Sequence, residues 1–134
     1  MSEGQLSQGV VALKMTRQDT GWRDSSSDVA DDPLRFEFAR DGTKETLRVT
    51  GELDISTAAT LERAVARTLD GQGGAFYVDI SAVRFMDSTG AQTLLRLHRR
   101  LTELGRRLVV VSPTPLVRRV LEILGFDQVI DVRQ

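Results

Sequence analysis

A chain of 134 residues is long enough to bury one core and too short for two domains. Its 18 basic and 19 acidic side chains leave a formal charge of -1, so the overall balance directs it to neither nucleic acid nor an anionic membrane. With no cysteine and one histidine, a disulfide framework and the usual soft-ligand metal sites are excluded, and neither a metal nor a cofactor is expected.

Residues 1–33 lack sustained periodicity. GVVAL at 9–13 is too short for a signal peptide and follows no basic region, which points to a cytoplasmic protein. DSSSDVADDP at 24–33 is polar, acidic and ends in proline, so residues 1–33 read as a disordered tail ahead of a domain over 34–134. Ser25, Ser26 and Ser27 read as linker residues, with modification as the alternative.

From Leu34 the pattern changes. Leu34, Phe36 and Phe38 alternate with polar or small residues, Asp41-Gly42 offers a tight turn, and Leu47, Val49, Gly51 and Leu53 alternate again, which predicts a β-hairpin. Leu61, Val65 and Leu69 then predict a helix from about Thr57, with Ser56 as its N-cap and Gly71 as its stop. AFYVDI at 75–80 suits a buried strand, and the glycines at 71, 73 and 74 before it suit a turn. Leu94, Leu97, Leu101 and Leu104 predict an amphipathic helix over about 88–104. LVVV at 108–111 is a buried strand, and it falls far short of the roughly 20 residues that span a bilayer, so no membrane insertion is expected. Thr114-Pro115 opens a helix that Gly125 closes, and VIDV at 129–132 is the last strand. The order ββαβαβαβ calls for an α/β fold, a small mixed sheet flanked by helices.

RFMDSTGAQTLL at 84–95 places Asp87, Ser88, Thr89 and Gly90 where a strand gives way to a helix. The plainest reading is a cap, because Asp, Ser and Thr oxygens accept from the unpaired first-turn amides. A serine nucleophile needs a base within hydrogen-bonding reach. His98, ten residues on, would lie about 15 Å away on one helix. A phosphate-binding loop of the G-x-x-x-x-G-K-[ST] type occurs nowhere in the chain. The third reading makes Ser88 a phosphoacceptor: a phosphate there would be stabilised by the helix N-terminus while adding about -1.5 to -2 charges to the surface. Gly90 and Ala91 carry little side chain, which would let a partner's active site approach.

TGELDISTA at 50–58, VDISAVRFMDSTG at 78–90 and GRRLVVVSPTPLVRRVLEILGF at 105–126 together resemble the STAS domain family, and within it the bacterial anti-sigma-factor antagonists. The likeness covers about residues 34–134. It implies a non-enzymatic protein that, unphosphorylated, binds an anti-sigma factor with serine kinase activity and so releases a sigma factor. Phosphorylation by that kinase would inactivate it until a serine phosphatase restores it. The resemblance carries the phosphoacceptor role to Ser88, with Thr89 as the neighbouring hydroxyl. It places Asp54 near the acceptor, Glu52 and Ser56 on the shared partner-binding surface, Asp87 and Gly90 in the loop, and Asp79 in a supporting role. The chain departs from many relatives at Ala91-Gln92, on a helix surface a kinase would meet, and in its long N-terminal segment. The rival readings are a phosphorylation-independent STAS scaffold of a transport or stress-sensing complex, and a nucleotide-binding domain. Arg96, Arg99, Arg100, Arg106 and Arg107 read as a solvated helix face, with an acidic partner or nucleic acid as alternatives.

Overall fold

Alternating apolar residues at Leu34, Phe36 and Phe38 and at Leu47, Val49 and Leu53 give two strands one buried face, and they pair as the β-hairpin the pattern predicts. In the computed structural model, which describes residues 12–15, 34–69 and 74–134, these are β2 (Leu34–Asp41) and β3 (Lys44–Leu53). Gly42 closes the hairpin with φ 64°, a conformation that glycine adopts without a Cβ penalty. There follow α1 (Ala58–Thr68), β4 (Ala75–Met86), α2 (Ser88–Glu103), β5 (Arg107–Val111), α3 (Pro115–Leu124), a 3-10 turn (Phe126–Gln128) and β6 (Asp131–Arg133). This is the predicted ββαβαβαβ order.

One strand was not expected. Ala12–Met15 forms β1, which pairs antiparallel with β2, Ala12 opposite Ala39 and Met15 opposite Phe36. The tail reading therefore does not hold for these four residues; the rest of residues 1–33 lies outside the described residues. The sheet order is β1-β2-β3-β4-β5-β6, antiparallel through β3 and parallel from β3 to β6.

Because the parallel strands advance in one direction, right-handed β-α-β crossovers bring α1, α2 and α3 to the same side of the sheet. There α1 packs on α2 and α2 on α3. Between that layer and the sheet lies the core, with Phe36, Leu47, Leu61, Phe76, Ile80, Leu94, Leu101 and Leu108 fully buried. On the hairpin, alternate residues such as Glu37, Lys44 and Arg48 point away from this core and are exposed.

β4 is longer than AFYVDI because SAVRFM continues it. Its alternation is broken twice. Phe76, Val78 and Ile80 are buried at intervals of two, and then Val83 and Met86 at intervals of three, where the register against β3 shifts. An extra residue in one strand of a pair flips the side chains beyond it to the other face. These irregularities turn Met86 inward and leave Phe85 exposed just ahead of α2.

Candidate functional site

In a parallel sheet the carboxyl ends of neighbouring strands open onto the loops that lead to the helices. Here β3 and β4 end side by side, Leu53 opposite Met86, so the loops at 54–57 and at residue 87 share one edge. Asp87 ties them together. Its Oδ1 accepts from the Gly90 amide at 2.8 Å as the N-cap of α2, its Oδ2 accepts from the Ile55 amide at 3.3 Å, and its own amide donates to the Leu53 carbonyl at 3.3 Å. The cap reading and the loop-holding role expected of Asp87 are one arrangement.

Ser88 is the first residue of α2 and is exposed, while Thr89 beside it is half-buried. The helix N-terminus directs its unpaired amides to this edge, which favours negative charge there. Gly90 and Ala91, expected to let a partner approach, are instead buried. A Cβ on Gly90 would overlap the Leu53 carbonyl oxygen and come within 3.0 Å of Leu53 Cγ. The absent side chain thus lets the helix sit on the end of β3. Of Ala91 and Gln92, expected on a surface a kinase would meet, Gln92 alone is exposed.

The loop before α1 is built on Asp54. Its Oδ1 accepts from the Ser56 hydroxyl at 2.7 Å, from the Ser56 amide at 2.9 Å and from the Thr57 hydroxyl at 3.4 Å. The Ser56 hydroxyl is the main reason that the Asp54 carboxyl lies below its ordinary value, because it stabilises the charged form. Ser56 is not the cap of α1; that position is Thr57, without a side-chain cap bond. The buried Thr57 instead donates to the Glu52 carbonyl at 2.9 Å and accepts from the Asp54 amide at 3.0 Å. Among the described residues no hydrogen bond joins Asp54 to Ser88; Asp54 sits across the Asp87 tether with its carboxylate held by its own loop. Glu52, at the end of β3, forms a surface ion pair of 3.4 Å with Arg84. Asp79 lies within β4 and accepts from the Ser81 amide at 2.9 Å, a local bond at the first register shift.

Two residues at this edge were missed. Ile55 is 75% exposed and Phe85 43% exposed, so a half-bare aromatic and a bare aliphatic side chain accompany Ser88 and Ser56. In sequence they look like strand residues, and only the bulges of β4 and the turn at Asp54 put them outside. The arginine series divides: Arg96 pairs with Glu62 at 2.8 Å, Arg107 reaches Asp131 at 3.8 Å, and Arg106 is buried against Glu45 at 2.7 Å rather than solvated. Arg99 and Arg100 are exposed. Among the described residues no helix is long and apolar enough to cross a membrane.

A family model described as Mlab, STAS domain matches residues 36–132. The chain is 28% identical over 99 residues to the anti-sigma-F factor antagonist RsfB of Mycobacterium tuberculosis, covering 74% of this chain and 80% of the relative. It is 27% identical over 94 residues to the anti-sigma-B factor antagonist of Listeria monocytogenes, covering 70% and 82%. The crystal structure of an anti-sigma factor antagonist from Mycobacterium paratuberculosis matches with a TM-score of 0.66 at 26% identity, over 75% of this chain and 85% of that one.

Proposed function

We propose that this chain, which belongs to the STAS domain family, is an anti-sigma-factor antagonist controlled by phosphorylation of Ser88. Unphosphorylated, it binds an anti-sigma factor with serine kinase activity and so frees a sigma factor; phosphorylated, it lets go until a serine phosphatase acts. Support for the first part comes from relatives named for that role at similar length. The second part rests on one observation: Ser88 is an exposed hydroxyl on the first residue of α2, in a turn fixed from both sides by Asp87.

That geometry suits a switch. A phosphate on Ser88 would meet the free amides and positive end of the helix, so the fold would tolerate it. The same charge would stand on the edge where Ile55 and Phe85 are also exposed, and a partner's apolar surface covering that edge would have to desolvate it. Across the Asp87 tether, Asp54 is a carboxylate whose charged form the Ser56 hydroxyl further stabilises, and it adds repulsion toward a second anion. The kinase supplies nucleotide, magnesium and chemistry; this chain supplies the acceptor and the docking edge.

Site-resolved phosphopeptide mass spectrometry on protein from its own cells, before and after stress or starvation, tests the acceptor. A changing phosphate fraction at Ser88 is expected, and a well-detected peptide that stays unmodified throughout would favour the phosphorylation-independent scaffold. By calorimetric titration against the cognate anti-sigma factor, Ser88→Ala should bind like the parent. Ser88→Glu should bind roughly tenfold or more weakly, a loss of about 1.4 kcal/mol or more. Equal affinities of the two variants would contradict electrostatic control.

A further inference from the structure

α1 and α2 pack together at their buried stripes and leave between them an open groove of about 560 Å³. Its floor is apolar, with Leu97 and Leu101 buried, Leu69 half-buried and Leu104 58% exposed. Its rim along α2 carries three arginines and one glutamate, Glu103: Arg96 is held by Glu62, while Arg99 and Arg100 have no carboxylate partner among the described residues and leave the rim net cationic. An exposed leucine one turn beyond two unpaired cations is surface that solvent serves poorly, because water satisfies the guanidinium groups but not the aliphatic floor.

We propose that this groove docks an acidic amphipathic helix of a protein partner, at a site separate from Ser88. The charges decide the occupant. Arg96, Arg99 and Arg100 are spread along more than one turn of α2 instead of converging on a point, so they do not form a pocket for one small anion. A helix carrying carboxylates at three- and four-residue spacing would meet Arg99 and Arg100 and pass the Arg96–Glu62 pair, with leucines on its inner face covering Leu104 and Leu69. From Ser88 to Arg100 is twelve residues of continuous helix, about 18 Å. A charge at Ser88 lies beyond the Debye length of about 8 Å at physiological salt, so docking in the groove is insensitive to the phosphorylation state.

The test uses the full chain and a fluorescein-labelled peptide of about 20 residues, built of glutamate with leucine at i, i+3, i+4 and i+7. A second peptide of the same composition has its leucines scattered round the helix. Fluorescence anisotropy should show saturable binding of the first peptide. Binding should weaken about fivefold or more in Arg99→Glu/Arg100→Glu, less in Arg99→Gln/Arg100→Gln, and with salt raised from about 50 to about 300 mM. Ser88→Glu should leave it unchanged within about twofold. No saturable binding, equal binding of the scattered peptide, or indifference to the arginine variants overturns the proposal. Two other results overturn it in favour of another occupant. A change in Trp22 emission on Arg99→Glu/Arg100→Glu without peptide would mean that the chain's own N-terminal segment fills the groove. A concentration-dependent dimer, seen by sedimentation and lost in that variant, would mean a second copy.

Discussion

Gly90 is the residue whose chemistry is most tightly set by its surroundings. Its Cα faces the last carbonyl of β3, and any Cβ would overlap Leu53. The obstacle is backbone, which cannot rotate away as a side-chain end can. Gly90→Ala would gain helix propensity, since alanine is favoured over glycine by about 1 kcal/mol in a helix interior. It would lose more to the clash, because forcing atoms into a packed site typically costs about 1–3 kcal/mol. The expected outcome is a net loss of stability, read as a thermal midpoint several degrees lower, with Ser88 displaced from its place beside Asp87. An unchanged midpoint would mean that α2 lifts off β3 without penalty. The sequence pattern offers Asp87, Ser88 and Thr89 as caps and the family resemblance implies that Ser88 is the acceptor, but the pattern reads Gly90 as an opening for a partner. That Leu53 occupies the space depends on the pairing of β3 with β4, which no local pattern contains.

At the scale of elements, the loop between β3 and α1 shows what periodicity can and cannot deliver. The stretch after Leu53 announces a helix start, yet the cap falls on Thr57 because Ser56 is recruited by Asp54 instead. The carboxylate thus organises the loop, and its protonation should loosen it. The Asp54 carboxyl is held below its ordinary value of 3.8, first by the Ser56 hydroxyl, and a depressed folded-state value means that the folded state binds the proton more weakly than the unfolded chain. The stabilisation is therefore fully present above 3.8 and disappears as pH falls through the lower folded value. Asp54→Asn should be less stable than the parent at neutral pH, and the two should converge as pH drops below that range, measured by urea denaturation across pH. The effect is small because Asp54 is only half-buried and solvent screens its hydrogen bonds. A constant difference across pH would assign the loop's order to Thr57 alone. Elsewhere the hairpin and the Thr114-Pro115 to Gly125 helix were legible because their signals are local, the Thr114 hydroxyl accepting from Val117 and Gly125 turning at φ 77°. β1 was not, since four residues carry too little periodicity and are specified only by the edge of β2. Nor was the far half of β4, whose bulges erase the alternation by which strands are recognised.

Across the whole molecule, the proposed docking edge and the most polar part of the core stand at opposite ends of the sheet. Glu45 is the second residue of β3 and Leu53 closes it, eight residues apart, or about 26 Å. Glu45 and Arg106 are each 2% exposed and meet at 2.7 Å; the other Glu45 oxygen accepts from Arg40 at 2.7 Å, and the Arg106 guanidinium lies 5.9 Å from the Phe76 ring centroid. This pair joins the hairpin to the turn between α2 and β5, elements far apart in the chain. Burying two charges costs several kcal/mol each before their attraction is counted, so the pair adds little net stability, but breaking it strands a charge in the core. Arg40, one-third exposed, can turn to water; Arg106 cannot. Glu45→Gln is therefore expected to cost about 3–5 kcal/mol, measured by the urea midpoint. Glu45→Leu with Arg106→Leu should recover most of that loss, because neither charge then remains to be solvated. If Ser88 is the acceptor as proposed, both variants should still present it to a kinase at temperatures well below their midpoints, since Asp87, Ile55 and Leu53 hold its turn at the other pole. If Glu45→Gln abolished phosphorylation while folded, the two ends would be coupled through β3 and β4, and the sheet would be transmitting a conformational change instead of serving as a rigid platform.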